Sequence, residues 1–143
     1  GFMAWLDFVR ANPDFDVERL MRRAAPGLTD AEYAAYGAPF PDATYKGGVR
    51  TFPLRVPITE DMDGVTLSRR AAAWWSTEWR GESFMAIGMQ DPVLGPPVMR
   101  ALRKVIRACP EPMEVADGGH FVQEQGEAIA RAALAAWGAN GPG

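Results

Sequence analysis

Phe84-Met85-Ala86-Ile87-Gly88-Met89-Gln90-Asp91 decides the fold: a short apolar run suited to a buried parallel strand, ending on an acid. Pro92 and Gly95-Pro96-Pro97 then predict a loop. Downstream, Met113-Glu114-Val115-Ala116 reads as a second strand, closed by Asp117-Gly118-Gly119, with the chain's one histidine, His120, directly after it. Chemistry in open α/β sheets gathers at the carboxyl ends of the strands, so Asp91 and His120 are expected side by side on that edge. They are two members of a nucleophile, acid and base set, and no nucleophile is evident.

Between the strands, Met99, Leu102, Val105 and Ile106 give helical spacing over Val98 to Cys109. A last helix is expected from Val122 to Trp137, with Ile129, Ala133, Leu134 and Trp137 inward, stopped by Gly138 and the Gly141-Pro142-Gly143 tail. The first part has another texture, and residues 1–80 read as a helical layer without strands. Thr29-Asp30-Ala31-Glu32 has capping-box spacing and opens a short helix through Tyr36 that Gly37 ends. Pro39, Pro41, Pro53 and Pro57 are read as turn formers. From Gly64 to Trp79 a longer helix carries Val65, Leu67, Ala71, Ala72, Trp74, Trp75 and Trp79 as an apolar stripe, the tryptophan pair reading as core.

Two parallel strands with two helices cannot cover both sheet faces or satisfy the edge groups. The chain is therefore expected to be the end of a larger sheet. It begins at Gly1 rather than methionine, which fits a chain that starts in the middle of something and equally a processed terminus or a cloning scar.

Composition narrows the class. The 143 residues are 48% hydrophobic, as a globular chain requires. A net charge of -3 gives no broad basic footprint for nucleic acid or an anionic membrane, and Arg100 to Arg107 reads as the solvated face of a helix. The lone Cys109 excludes an intrachain disulfide framework and reads as core packing, compatible with a cytoplasmic setting. No apolar run approaches the roughly 20 residues that span a bilayer. One histidine makes a zinc site improbable, so neither metal nor cofactor is expected.

In order, the strand, Asp91, helix, strand, Gly119-His120 and helix look like the end of an α/β-hydrolase. Met85 to Met99, Cys109-Pro110-Glu111-Pro112 and Gly119-His120-Phe121-Val122-Gln123-Glu124 closely resemble haloalkane dehalogenases that act on short chlorinated alkanes. So do Gly1-Phe2-Met3-Ala4-Trp5, Ala38-Pro39-Phe40-Pro41-Asp42 and Gly48-Val49-Arg50-Thr51-Phe52-Pro53. The resemblance implies a helical cap over residues 1–80 and, over 81–143, the last two parallel strands of the hydrolase core with their flanking helices. It also implies roles. His120 is the base that activates water, Asp91 the carboxylate that orients it, and Trp5 the cap tryptophan whose N–H holds the leaving halide. Phe2, Phe52, Pro53 and Val56 match apolar pocket wall, and Val93 and Leu94 line the same cavity.

Those roles suit the chemistry. A halide leaving in apolar surroundings needs a donor, and an indole N–H is donor only on a rigid apolar body. By resemblance, an aspartate displaces halide to form an alkyl ester, which water deprotonated by His120 then hydrolyses. The nucleophile elbow, the second halide-binding tryptophan and the oxyanion hole precede the cap in the family and have no match in this chain. The partners implied are thus a small halogenated alkane, a halide ion and the amino-terminal half of the same fold, without nucleic acid or membrane. The complete protein is expected to be monomeric, and the 143 residues alone inactive.

Blander readings stand beside these. A lone histidine in a loop is commonly structural, but Gly118-Gly119 before it and the acid upstream favour catalysis. Trp5 alone reads as packing. Asp117 is a rival orienting acid, although its place fits turn chemistry better. An epoxide hydrolase or serine esterase of the same fold stays open, as does a non-enzymatic helical module. Epoxide opening needs paired tyrosine donors, and Tyr33, Tyr36 and Tyr45 fall in no defensible spacing.

Overall fold

The computed structural model describes residues 1–138, so the Gly141-Pro142-Gly143 tail lies outside the described residues. The chain divides into two compact units, Gly1–Val65 and Thr66–Gly143.

The first unit is helical. Phe2, Trp5, Leu6 and Val9 recur at helical spacing in α1 (Phe2–Ala11), and Leu6 and Val9 are buried. Asn12 ends α1, its backbone N–H and side-chain amide both donating to the Phe8 carbonyl at 2.9 Å. Asp16 caps α2 (Val17–Ala24) by accepting from the Arg19 N–H. The expected capping box opens α3 (Asp30–Gly37), with Thr29 accepting from the Glu32 N–H and Glu32 accepting from Thr29 N–H. α2 packs on α3, where Arg22 bridges Glu18 and Asp30, each at 2.8 Å, and lies 4.5 Å from the Tyr33 ring centre. A 3-10 turn, Ala43–Lys46, leads into α4 (Gly47–Arg55), which packs on α1. Pro53 therefore sits buried inside a helix, correcting its reading as a turn former. Lys46, 8% exposed, is neutralised by Asp14 at 2.7 Å.

α5 (Val65–Thr77) runs from the last residue of the first unit into the second. Its core reading needs correction, since it has no buried residue, Leu67 is 68% exposed, and Trp74, Trp75 and Trp79 pack chiefly on one another. β1 (Ala86–Gly88) and β2 (Met113–Val115) pair in parallel, with Ile87 opposite Glu114 and Gly88 opposite Val115. α6 (Pro96–Val105) joins them, starting two residues earlier than expected because Pro96 and Pro97 occupy first-turn positions that need no amide hydrogen. It also stops sooner, and Ala108 then turns the chain at a left-handed φ of 56°. The basic cluster is tied down: Arg100 pairs with Glu114, Arg103 with Glu111, and Arg107 donates to the Trp79 carbonyl.

The last helix splits into a 3-10 turn, Val122–Gln125, and α7 (Gly126–Ala136). Ile87, at 1% exposure, centres the small core with Met85 and Cys109, against which Met89, Met99 and Ile106 pack. α6 and α7 contribute no buried residue, and Leu134 and Trp137, expected inward, are about half exposed. Among the described residues no helix is long and apolar enough to cross a membrane.

Candidate active site

Both strand ends turn at once, and the turns are stitched together. Met89 N–H donates to the Val115 carbonyl at 3.0 Å, Gln90 N–H to that of Gly118 at 2.9 Å, and the Gln90 side-chain amide to that of Ala116 at 3.3 Å. Asp91 N–H returns to the Gly88 carbonyl at 3.2 Å, so the acid emerges on the first turn after β1.

There Asp91 meets His120. His120 Nδ1 lies 3.0 Å from Oδ2 and 3.1 Å from Oδ1, and the Asp91 side chain is only 8% exposed against 37% for His120. Oδ1 also accepts from the backbone N–H groups of Val93 at 2.7 Å and Leu94 at 3.0 Å. Burial raises the Asp91 carboxyl, but the Val93 and Leu94 amides and His120 together outweigh it and hold the group below the ordinary carboxylate range. A carboxylate fixed from one side by amides and from the other by imidazole can orient that ring and steady its charged form. Nδ1 is then the donor, and Nε2 is the nitrogen that can take a proton. The acid geometrically paired with His120 is Asp91; Asp117 lies in the exposed turn after β2.

Val93 and Leu94 act here through backbone amides, a role that the sequence reading missed although Asp followed by Pro and a glycine signals such a turn. Leu94 is half exposed. In the first unit, Phe2 and Trp5 belong to α1 and Phe52 and Pro53 to α4, with Val56 as its carboxyl cap. The packing of α1 on α4 brings these elements into one unit. Trp5 stacks on Phe8 at 5.5 Å and meets Phe15 edge-on at 5.6 Å, while Phe52 is 76% exposed. Tyr33 is committed elsewhere, donating to the Ala25 carbonyl at 2.9 Å and accepting from Leu28 N–H. No cluster of three or more His, Cys, Asp or Glu side chains that could hold a metal occurs among the described residues.

No protein-family model matches the chain. The haloalkane dehalogenase of Psychrobacter cryohalolentis is 36% identical over 135 residues, a match covering 92% of this chain and 44% of that protein. That of Mycobacterium marinum is 34% identical over 130 residues, covering 87% of this chain and 42% of its relative. Among solved structures, the tetrameric haloalkane dehalogenase DpaA from Paraglaciecola agarilytica NO2 superposes with a TM-score of 0.88 at 44% identity, over 94% of this chain and 45% of that one. The DBJA structure superposes at a TM-score of 0.74 and, at 24% identity, speaks to the fold alone. The chain thus spans less than half the length of these relatives, and its fold is the carboxyl-terminal part of an α/β-hydrolase.

Proposed function

The chain is a relative of the haloalkane dehalogenases by sequence and fold, and on that premise we propose that it supplies the acid and base of a hydrolase that converts small haloalkanes to alcohol and halide. His120 removes a proton from water, which attacks an aspartyl ester; Asp91 orients the ring and steadies the imidazolium. The ester forms when an aspartate outside these 143 residues displaces halide. Residues 1–80 serve as cap and 81–143 as part of the core. Trp5 donates its N–H to the leaving halide, and Phe2, Phe52, Pro53, Val56, Val93 and Leu94 provide apolar wall.

One observation carries the reading: His120 Nδ1 stands 3.0 Å from a carboxylate that two backbone amides already fix. Tyr33, with its hydroxyl engaged as both donor and acceptor, weighs against an epoxide-opening role.

The test is to express the protein at its full natural length and follow halide release from a short chlorinated or brominated alkane. Wild type is expected to turn over. His120→Gln is expected to release halide once and then stall as the ester. Ester cleavage without halide release would move the assignment to an esterase. We also read the complete protein as cytoplasmic and monomeric, which fractionation and sedimentation would check.

A further inference from the structure

The loops that carry Asp91 and His120 meet where neither has a side chain. Gly88 ends β1 and Gly118 follows β2. Gly88 is not among the left-handed glycines, which are Gly27, Gly64 and Gly138 among the described residues, so torsion does not require glycine there. Space does. A Cβ on Gly88 would stand 2.6 Å from the Gly119 oxygen and 2.8 Å from the Gly118 oxygen, both backbone atoms that cannot rotate aside. From the other side, a Cβ on Gly118 would lie 3.1 Å from Gly88 Cα and 2.9 Å from Val115 Cγ1.

The approach is anchored around this point. The Met89 and Gln90 amides reach the carbonyls of Val115 and Gly118, and His120 follows Gly119 directly. Prising Gly118 and Gly119 off the end of β1 therefore moves the imidazole away from Asp91. Their hydrogen bond is 3.0 Å long, inside the range of about 2.7–3.2 Å that such bonds occupy, and a displaced ring leaves that range or loses the alignment the bond needs.

We infer that Gly88 is a positioning residue: lacking a Cβ, it lets the Gly118-Gly119 backbone seat against β1 and so sets the His120–Asp91 hydrogen bond. The catalytic consequence rests on the proposed roles of those two residues; the geometric claim does not.

The test uses the full-length protein labelled with 15N at histidine, the His120 ring signal being assigned by its loss in His120→Gln. Gly88→Ala is compared with Gly126→Ala, where an added Cβ meets nothing within 4 Å. The expected result is that Gly88→Ala moves the downfield Nδ1 proton signal upfield and lowers steady-state halide release on the order of 100-fold, the scale of a 1 Å misplacement. First-turnover release should persist, and Gly126→Ala should resemble wild type. Should Gly88→Ala fail to fold, Val115→Ala/Gly118→Ala probes the same gap more gently and is compared with Val115→Ala alone. A folded variant of either kind whose Nδ1 signal and turnover match those of its parent overturns the inference. Absence of halide release from wild type would instead overturn the proposed function, and the Nδ1 signal would still decide the role of Gly88.

Discussion

The two units are built by opposite means. In Gly1–Val65 the helix starts are set locally, and packing of α1 on α4 and the Lys46–Asp14 pair join them: Asp16, Thr29 and Asp42 cap the segments that follow them, Tyr33 ties down the link just before its own helix, and Leu6, Val9, Phe15 and Met21 are buried. In the second unit no side chain caps α6 or α7, buried apolar residues are confined to Met85, Ile87 and Cys109 among the described residues, and the decisive contacts join residues far apart in sequence. Where chain neighbours do the holding, single changes cost little. Where two distant loops must meet, one atom can matter for chemistry more than for stability.

The largest expected effect tests the chemical side of that contrast. Asp91→Asn in the full-length protein is expected to lower steady-state halide release on the order of 10^4-fold, by analogy with loss of an orienting carboxylate elsewhere. Near-normal turnover would shift the role to Asp117. The same variant tests the electrostatics. Because the folded carboxyl titrates below its unfolded value of about 3.9, its stabilising effect is complete above that value and lost as pH falls through the folded one. The stability difference between wild type and Asp91→Asn, followed by denaturant titration, should therefore shrink below about pH 4.

Next in size is Ile87→Ala, expected to cost about 2–5 kcal/mol through the cavity left at the centre of the smaller core. The tryptophans make the comparison readable, since Trp5 lies in the first unit and Trp74, Trp75, Trp79 and Trp137 in the second. An Ile87→Ala transition seen equally by Trp5 alone would mean that the units unfold as one. Thr29→Ala should cost about 1 kcal/mol by removing the capping box, without changing the His120 ring signal. Smallest is Ala108→Gly, which should stabilise by up to about 1 kcal/mol by relieving a left-handed alanine, read as a rise in the denaturant midpoint.

The same contrast explains what was legible in the sequence. The capping box and the two strands are short-range patterns, and the order of Asp91 and His120 follows from the strand ends that carry them; each stands in the structure where it was expected. Proline was ambiguous because it breaks a helix interior yet suits a first turn; Pro96 and Pro97 took the second option, and Pro53 is held inside α4. The apolar stripes of α5 and α7 did not show what they would pack against. Nor could any local pattern reveal that Gly88 must be bare, since the atoms that demand it are Gly118 and Gly119 on the other strand's loop.

Cys109 turns this smaller core into something that can be timed. It is the chain's one cysteine, it packs with Met85 and Ile87, and burial raises its thiol above the ordinary value. A thiol reagent should therefore reach it chiefly when that cluster opens, so the labelling rate reads the opening equilibrium of the second unit wherever reclosing outpaces reaction. The protein thus carries its own stopwatch for the part that presents Asp91 and His120.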